Sequence, residues 1–120
     1  MLGVKLICVG KLKEAYWRQA VAEYEKRLRP LCKWELVELA EARLSSEPSQ
    51  AEIDAALEKE GETILRNAVG KIYPLCIEGK TVDSPGLAKR LAGAMQSPGA
   101  VSFVIGSSYG LSPAVKAAGE

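Results

Sequence analysis

The sequence predicts an α/β fold, a mostly parallel sheet with helices on both faces. Three observations carry that reading. Short apolar runs rich in β-branched residues alternate with stretches of helical spacing along the chain. That alternation suits parallel strands, which need long crossover connections and cannot be joined by a tight hairpin. Punctuation falls between the runs: Gly10, Pro30, Gly70, Ser84-Pro85 and Ser97-Pro98-Gly99 each close or open an element.

Val4 to Val9 (VKLICV) reads as the first strand, interrupted by Lys5 and ended by Gly10. Leu12 to Leu28 has helical spacing. Trp17, Ala20, Val21, Tyr24 and Leu28 share one face, and Lys13, Arg18, Glu25 and Lys26 fall outside it. Glu23 and Arg27 stand in the order that favours a helical ion pair, and Pro30 stops the helix. Trp34 to Leu39 (WELVEL) alternates apolar and acidic residues, as a strand near a sheet edge does. Ala40 to Pro48 is a polar, irregular connection.

Ser49-Gln-Ala-Glu52 is a capping box, serine and glutamate each covering a free amide at a helix start. The helix carries Ile53, Leu57, Ile64 and Ala68 on one side, turns Glu58, Lys59 and Glu62 to water, and closes at Gly70. Ile72 to Ile77 (IYPLCI) is apolar throughout, so it reads as an inner strand buried on both faces. Pro74 is out of place there, because it lacks a ladder donor. Glu78-Gly79-Lys80 turns the chain. Ser84 caps the next helix, with Pro85 in its first turn and Leu87, Leu91 and Met95 as its stripe. Val101 to Ile105 is the fourth strand. Ser112-Pro113 opens a last helix close to Glu120.

The 120 residues suit a single domain, with 48% apolar and 26% charged residues. The net charge of +1 excludes a global basic field, so any nucleic-acid contact must use a local patch. Cys8 and Cys76 sit in apolar runs and read as reduced, buried thiols, which with Cys32 suggests a cytoplasmic location. Leu2 to Val9 is too broken by Lys5 to be a signal, and no run approaches the roughly 20 residues of a membrane span. There is no histidine, which excludes Ser-His-Asp and Cys-His nucleophiles and most zinc sites. No metal is expected.

Ligands of open parallel sheets bind beyond the carboxyl ends of the strands. Three loops fall there: Gly10 to Lys13, Glu78 to Lys80, and Gly106 to Gly110. Glycine lets a ligand approach the backbone, and a helix starting at Pro113 offers free amides. Each feature also has a plain reading. A glycine after a strand turns the chain, Lys11 and Lys13 are solvated charges, and Glu78 is an exposed turn carboxylate rather than a base. Trp17 and Tyr24 read as core or subunit contact rather than stacking platforms. No Walker or dinucleotide fingerprint is present. The residues alone reach a small-molecule site and no reaction.

Three stretches add to this: ICVGKLKEAYWRQAVAEYEKRL (Ile7 to Leu28), EKEGETIL (Glu58 to Leu65) and FVIGSSYGLSPAVK (Phe103 to Lys116). Together they closely resemble the bacterial ribosomal RNA large-subunit methyltransferase H family, small enzymes of the SPOUT class. The resemblance runs over essentially the whole chain, more weakly between Ala40 and Ser49. It implies a homodimeric α/β-knot enzyme that moves a methyl group from S-adenosylmethionine (S-adenosyl-L-methionine) to N3 of a pseudouridine in 23S rRNA. It also implies cofactor contacts at Leu75, in PLCIEGK, and Gly106, in FVIGSS. Ser107 stands where the family usually has a second glycine. Family members continue for roughly another forty residues, enough for a further strand and helix. On that comparison the chain is C-terminally incomplete, the knot is not formed and a sheet edge stays unpaired. Two readings compete: a shortened rRNA methyltransferase, or a non-catalytic oligomerising or RNA-associating module. A generic nucleotide-binding domain is a third. No catalytic residue is named.

Overall fold

A computed structural model describes residues 1–119. Its elements run β1 (Gly3–Val9), α1 (Ala15–Leu28), β2 (Lys33–Leu39), α2 (Gln50–Asn67), β3 (Lys71–Leu75), α3 (Ser84–Gln96), β4 (Ala100–Ile105) and α4 (Pro113–Ala118). The strands form one sheet in the order β2-β1-β4-β3, and every pairing is parallel. Register sets Gly3 beside both Lys33 and Ala100, and Leu75 beside Ile105. All four strands therefore end at the same side of the molecule.

Alternation along the strands divides the core in two. Ile7, Val9 and Val104 face α2 and α4, where they meet Ile64, Leu111 and Val115. Leu2, Tyr73 and Val101 face the other way and meet Ala94 of α3. α1 is tied to that second side through Trp34 Nε1, which donates to Glu25 at 2.7 Å. Helices thus cover both faces, as the sequence predicts.

The expected capping box is present: Ser49 Oγ accepts from Glu52 N, and Glu52 reaches back to Ser49 N. Other expectations shift. α2 ends at Asn67, short of Gly70. Asp83, not Ser84, caps α3, its carboxylate accepting from Gly86 N at 2.8 Å. α1 buries no residue, and Trp17 and Tyr24 stand 55% and 64% exposed, so they are not core. Cys8 and Cys76 are half-buried and only Cys32 is buried; all three are free.

The largest correction concerns β3. Among the described residues it lies at the edge of the sheet, not inside it. Pro74 is no longer anomalous, because an edge strand needs a ladder on one side only. Leu75 and Ile77 are correspondingly exposed.

Two polar residues fasten the α2 face. Lys5 Nζ donates to the Asn67 carbonyl at 2.7 Å, so the charge that interrupts the first apolar run serves the end of α2. Ser102 is fully buried in β4; its hydroxyl accepts from Val69 N and donates to Val69 O, both at 2.8 Å. This pair pins the α2–β3 connection to the middle of the sheet. Ser102→Ala should cost about 1 kcal/mol, because the two backbone groups of Val69 lose a partly buried partner. A urea unfolding curve measures it, and an unchanged midpoint would show the pin to be idle.

Candidate functional site

The ends of the strands gather the loops. Gly10 follows β1 at φ +109, and its N–H donates to the Leu39 carbonyl at the end of β2 at 2.7 Å. Leu12 N donates to Glu38 at 3.1 Å, and Arg18 Nε to the Leu12 carbonyl at 2.7 Å. The Gly10–Lys13 loop is thus tied to β2, with Lys11 and Lys13 exposed at its surface.

After β4 the chain makes a tight loop. Gly110 N donates to the Ser107 carbonyl at 2.9 Å, and the two residues form an antiparallel bridge. Gly106 is required by this closure. A Cβ there would collide with the Gly110 carbonyl and crowd Leu111 Cδ2 at 2.9 Å. Its missing side chain admits the loop's own backbone.

Leu75 and Gly106 come together. Leu75 lies beside Ile105 in the β3–β4 register, and Gly106 is the next residue along the chain. Leu75 forms part of the wall of an open groove of about 1170 Å³. Tyr73, Ile77, Val82 and Phe103 add apolar surface, while Arg90, Glu78 and Lys116 supply charge. Gly106 is not part of that wall; the loop it begins lines a separate cavity through Ser107, Ser108 and Tyr109. Tyr73 and Phe103 stack with ring centroids 5.5 Å apart, giving the floor a rigid aromatic layer.

Glu78 is not free to act as a base. Lys116 of α4 forms an ion pair with it across the groove. The hydrogen bond from Lys116 holds the Glu78 carboxyl below the usual carboxylate range, and the same bond raises the Lys116 ammonium. A carboxylate so stabilised is a poor proton acceptor. Sequence reasoning missed Lys116 because nothing local links it to a turn so far along the chain. At the start of α4 one of the expected free amides is taken, since Ser112 Oγ accepts from Val115 N at 3.3 Å. At the end of β1, burial first and the Glu38 charge second raise the Cys8 thiol. No group of three or more His, Cys, Asp or Glu side chains that could hold a metal occurs among the described residues.

Residues 2–120 match the family described as "Predicted SPOUT methyltransferase". The chain is 44% identical over 117 residues to the Ribosomal RNA large subunit methyltransferase H of Ligilactobacillus salivarius (strain UCC118), covering 95% of this chain and 74% of that protein. It is 43% identical over 117 residues to the protein of that name from Limosilactobacillus reuteri (strain DSM 20016), with the same coverage. To that from Streptococcus thermophilus (strain CNRZ 1066) it is 45% identical over 116 residues, 94% of this chain and 73% of that one.

Two outcomes follow from the geometry. Gly106→Ala should displace the Ser107–Gly110 loop and cost about 1–3 kcal/mol, since the added methyl meets backbone rather than a flexible side chain. Wild-type stability and unchanged loop amide shifts would show that the loop has room. Lys116→Met should return the Glu78 carboxyl upward to the ordinary carboxylate range in a carbon-detected pH titration. The sign follows from linkage. A lowered carboxyl stabilises the fold above its ordinary value, and that gain is lost as pH falls through the lowered one. An identical Glu78 midpoint in the variant would remove the ion pair from the account.

Proposed function

This chain belongs to the SPOUT methyltransferase family, and on that premise we propose that it methylates large-subunit ribosomal RNA. The finer reading is transfer of a methyl group from S-adenosylmethionine to N3 of a pseudouridine in 23S rRNA. The observation that chiefly supports a donor site is the adjacency of Leu75 and Gly106 at the ends of β3 and β4, beside an apolar groove.

The groove suits the donor. At about 1170 Å³ it exceeds the roughly 300–1,000 Å³ of common small-molecule pockets. Its walls are apolar around Leu75, Ile77 and Val82, and charged around Arg90 and the Glu78–Lys116 pair, matching a ligand that is part nucleoside and part amino acid. When bound, S-adenosylmethionine supplies a methyl group made electrophilic by its sulfonium. Leu75 gives the nucleoside an apolar wall. Gly106 keeps the loop after β4 folded on Gly110. The target N3–H must lose its proton before attack, and positive charge beside the ring favours that loss. Lys11 and Lys13, exposed on the loop after β1, are the cations the sequence offers for this role, although neither lines the groove.

The RNA substrate implies a cytoplasmic location. The exposed face of α1, with Tyr16, Trp17 and Tyr24 at 62%, 55% and 64%, supports self-association as a homodimer.

Calorimetry with S-adenosylmethionine tests the donor site, and micromolar binding weakened about tenfold by Leu75→Asp is expected. Binding of ATP without binding of the methyl donor would replace this reading with a generic nucleotide-binding domain. Incubation with methyl-labelled donor and large subunits lacking the modification should label 23S rRNA. Donor binding with no label in any rRNA would favour the non-catalytic module.

A further inference from the structure

The charges of the groove beside Leu75 are not of one sign. Glu78, Lys80, Arg90 and Lys116 all line it, and Glu78 is the one acid among them. Glu78 and Lys116 form an ion pair between the turn after β3 and α4. That bond engages Oε1 of Glu78, and an ionised carboxylate has acceptor sites for more than one donor. The bond also lowers the Glu78 carboxyl and so keeps it ionised. Arg90 stands apart. It forms no ion pair among the described residues. It shares the groove-facing side of α3 with Leu87, three residues earlier.

An arginine presents a planar fork that matches a carboxylate with two parallel hydrogen bonds. Here that fork sits on a helix, beside an apolar surface, in the same groove as an ionised acid. Different ligands would use these groups differently. A neutral ligand needs neither. The phosphates of a nucleotide would meet Glu78 as a like charge. A zwitterion engages both, its carboxylate suiting Arg90 and its ammonium suiting Glu78. The Glu78–Lys116 pair is exposed on both sides, so little of the fold depends on it and it can take on a third charge.

We infer that Arg90 and Glu78 are specificity residues for an amino-acid end of the ligand, Arg90 taking its α-carboxylate and Glu78 its α-ammonium, while the apolar surface at Leu75 takes the rest. This assignment rests on the donor site given under Proposed function. It adds which residues tell a donor that carries an amino-acid end from a bare nucleoside.

Calorimetry on the 120-residue protein with two ligands tests it. S-adenosylhomocysteine keeps the amino-acid end. Methylthioadenosine keeps the nucleoside and the sulfur without it. The wild type should bind the first at least about tenfold more tightly than the second. Arg90→Gln and Glu78→Gln should each weaken the first about tenfold and leave the second within about twofold. Both positions are exposed, so the folded state survives either change. Equal wild-type affinities for the two ligands would overturn the assignment and leave the donor groove standing. So would variants that keep the wild-type gap, since the amino-acid end would then be held elsewhere. A variant that weakens both ligands alike would mark a distorted groove and end that residue's role as an anchor. A wild type that binds neither ligand would end the donor reading and this assignment with it.

Discussion

Everything at the candidate site depends on the parallel ladder that β4 makes with β1 on one side and β3 on the other. Parallel strands end together, so Gly10, Leu75 and Gly106 leave the sheet on one side although they are far apart in sequence. The fully buried Ser102 secures this arrangement from within, because its two bonds to Val69 fix where β3 enters. Were β3 to slip by one residue, Leu75 would lose its place beside Ile105, and Tyr73 and Pro74 would exchange faces.

The two faces of the sheet are built differently. The α2 face is held by buried and half-buried polar groups: Lys5 on Asn67, Ser102 on Val69, Glu60 on Ala42. Each fastens a connection rather than adding to the apolar core, and buried polar contacts of this kind specify one arrangement over others. The opposite face is looser. α3 buries only Ala94, and Met95 stands 60% exposed. The groove at Leu75 opens beside this looser layer, where a ligand can be admitted without breaking a packed core.

Much of the fold was legible because each element has a local cause. Ser49 and Glu52 announce α2, the alternation of WELVEL marks an edge strand, and Ser112-Pro113 starts α4. Strand order was not legible, since no residue in IYPLCI says which neighbours it will have. Pro74 was the available clue, and it read as a misfit only while β3 was taken for an inner strand. α1 misled for a related reason: helical spacing shows an apolar face but not what covers it. At the site, Leu75 and Gly106 were named through family resemblance, and the ladder then shows them to be neighbours. Glu60 went unnoticed even though it carried a signal, being an acidic residue on the stripe that runs through Ile53, Leu57 and Ile64. Lys116 carried none, because its bond to Glu78 exists only once β3 and α4 are side by side.

The seam at the middle of the sheet joins the first strand to the last, Gly3 to Ala100 and Cys8 to Ile105. During translation β1 emerges early but must wait until residues 100–105 are made before its inner partner exists. Until then it can pair only with β2, and its other side stays open to wrong partners. Closure of that seam is a long-range pairing, so its loop-closure entropy is spent before the contact is gained.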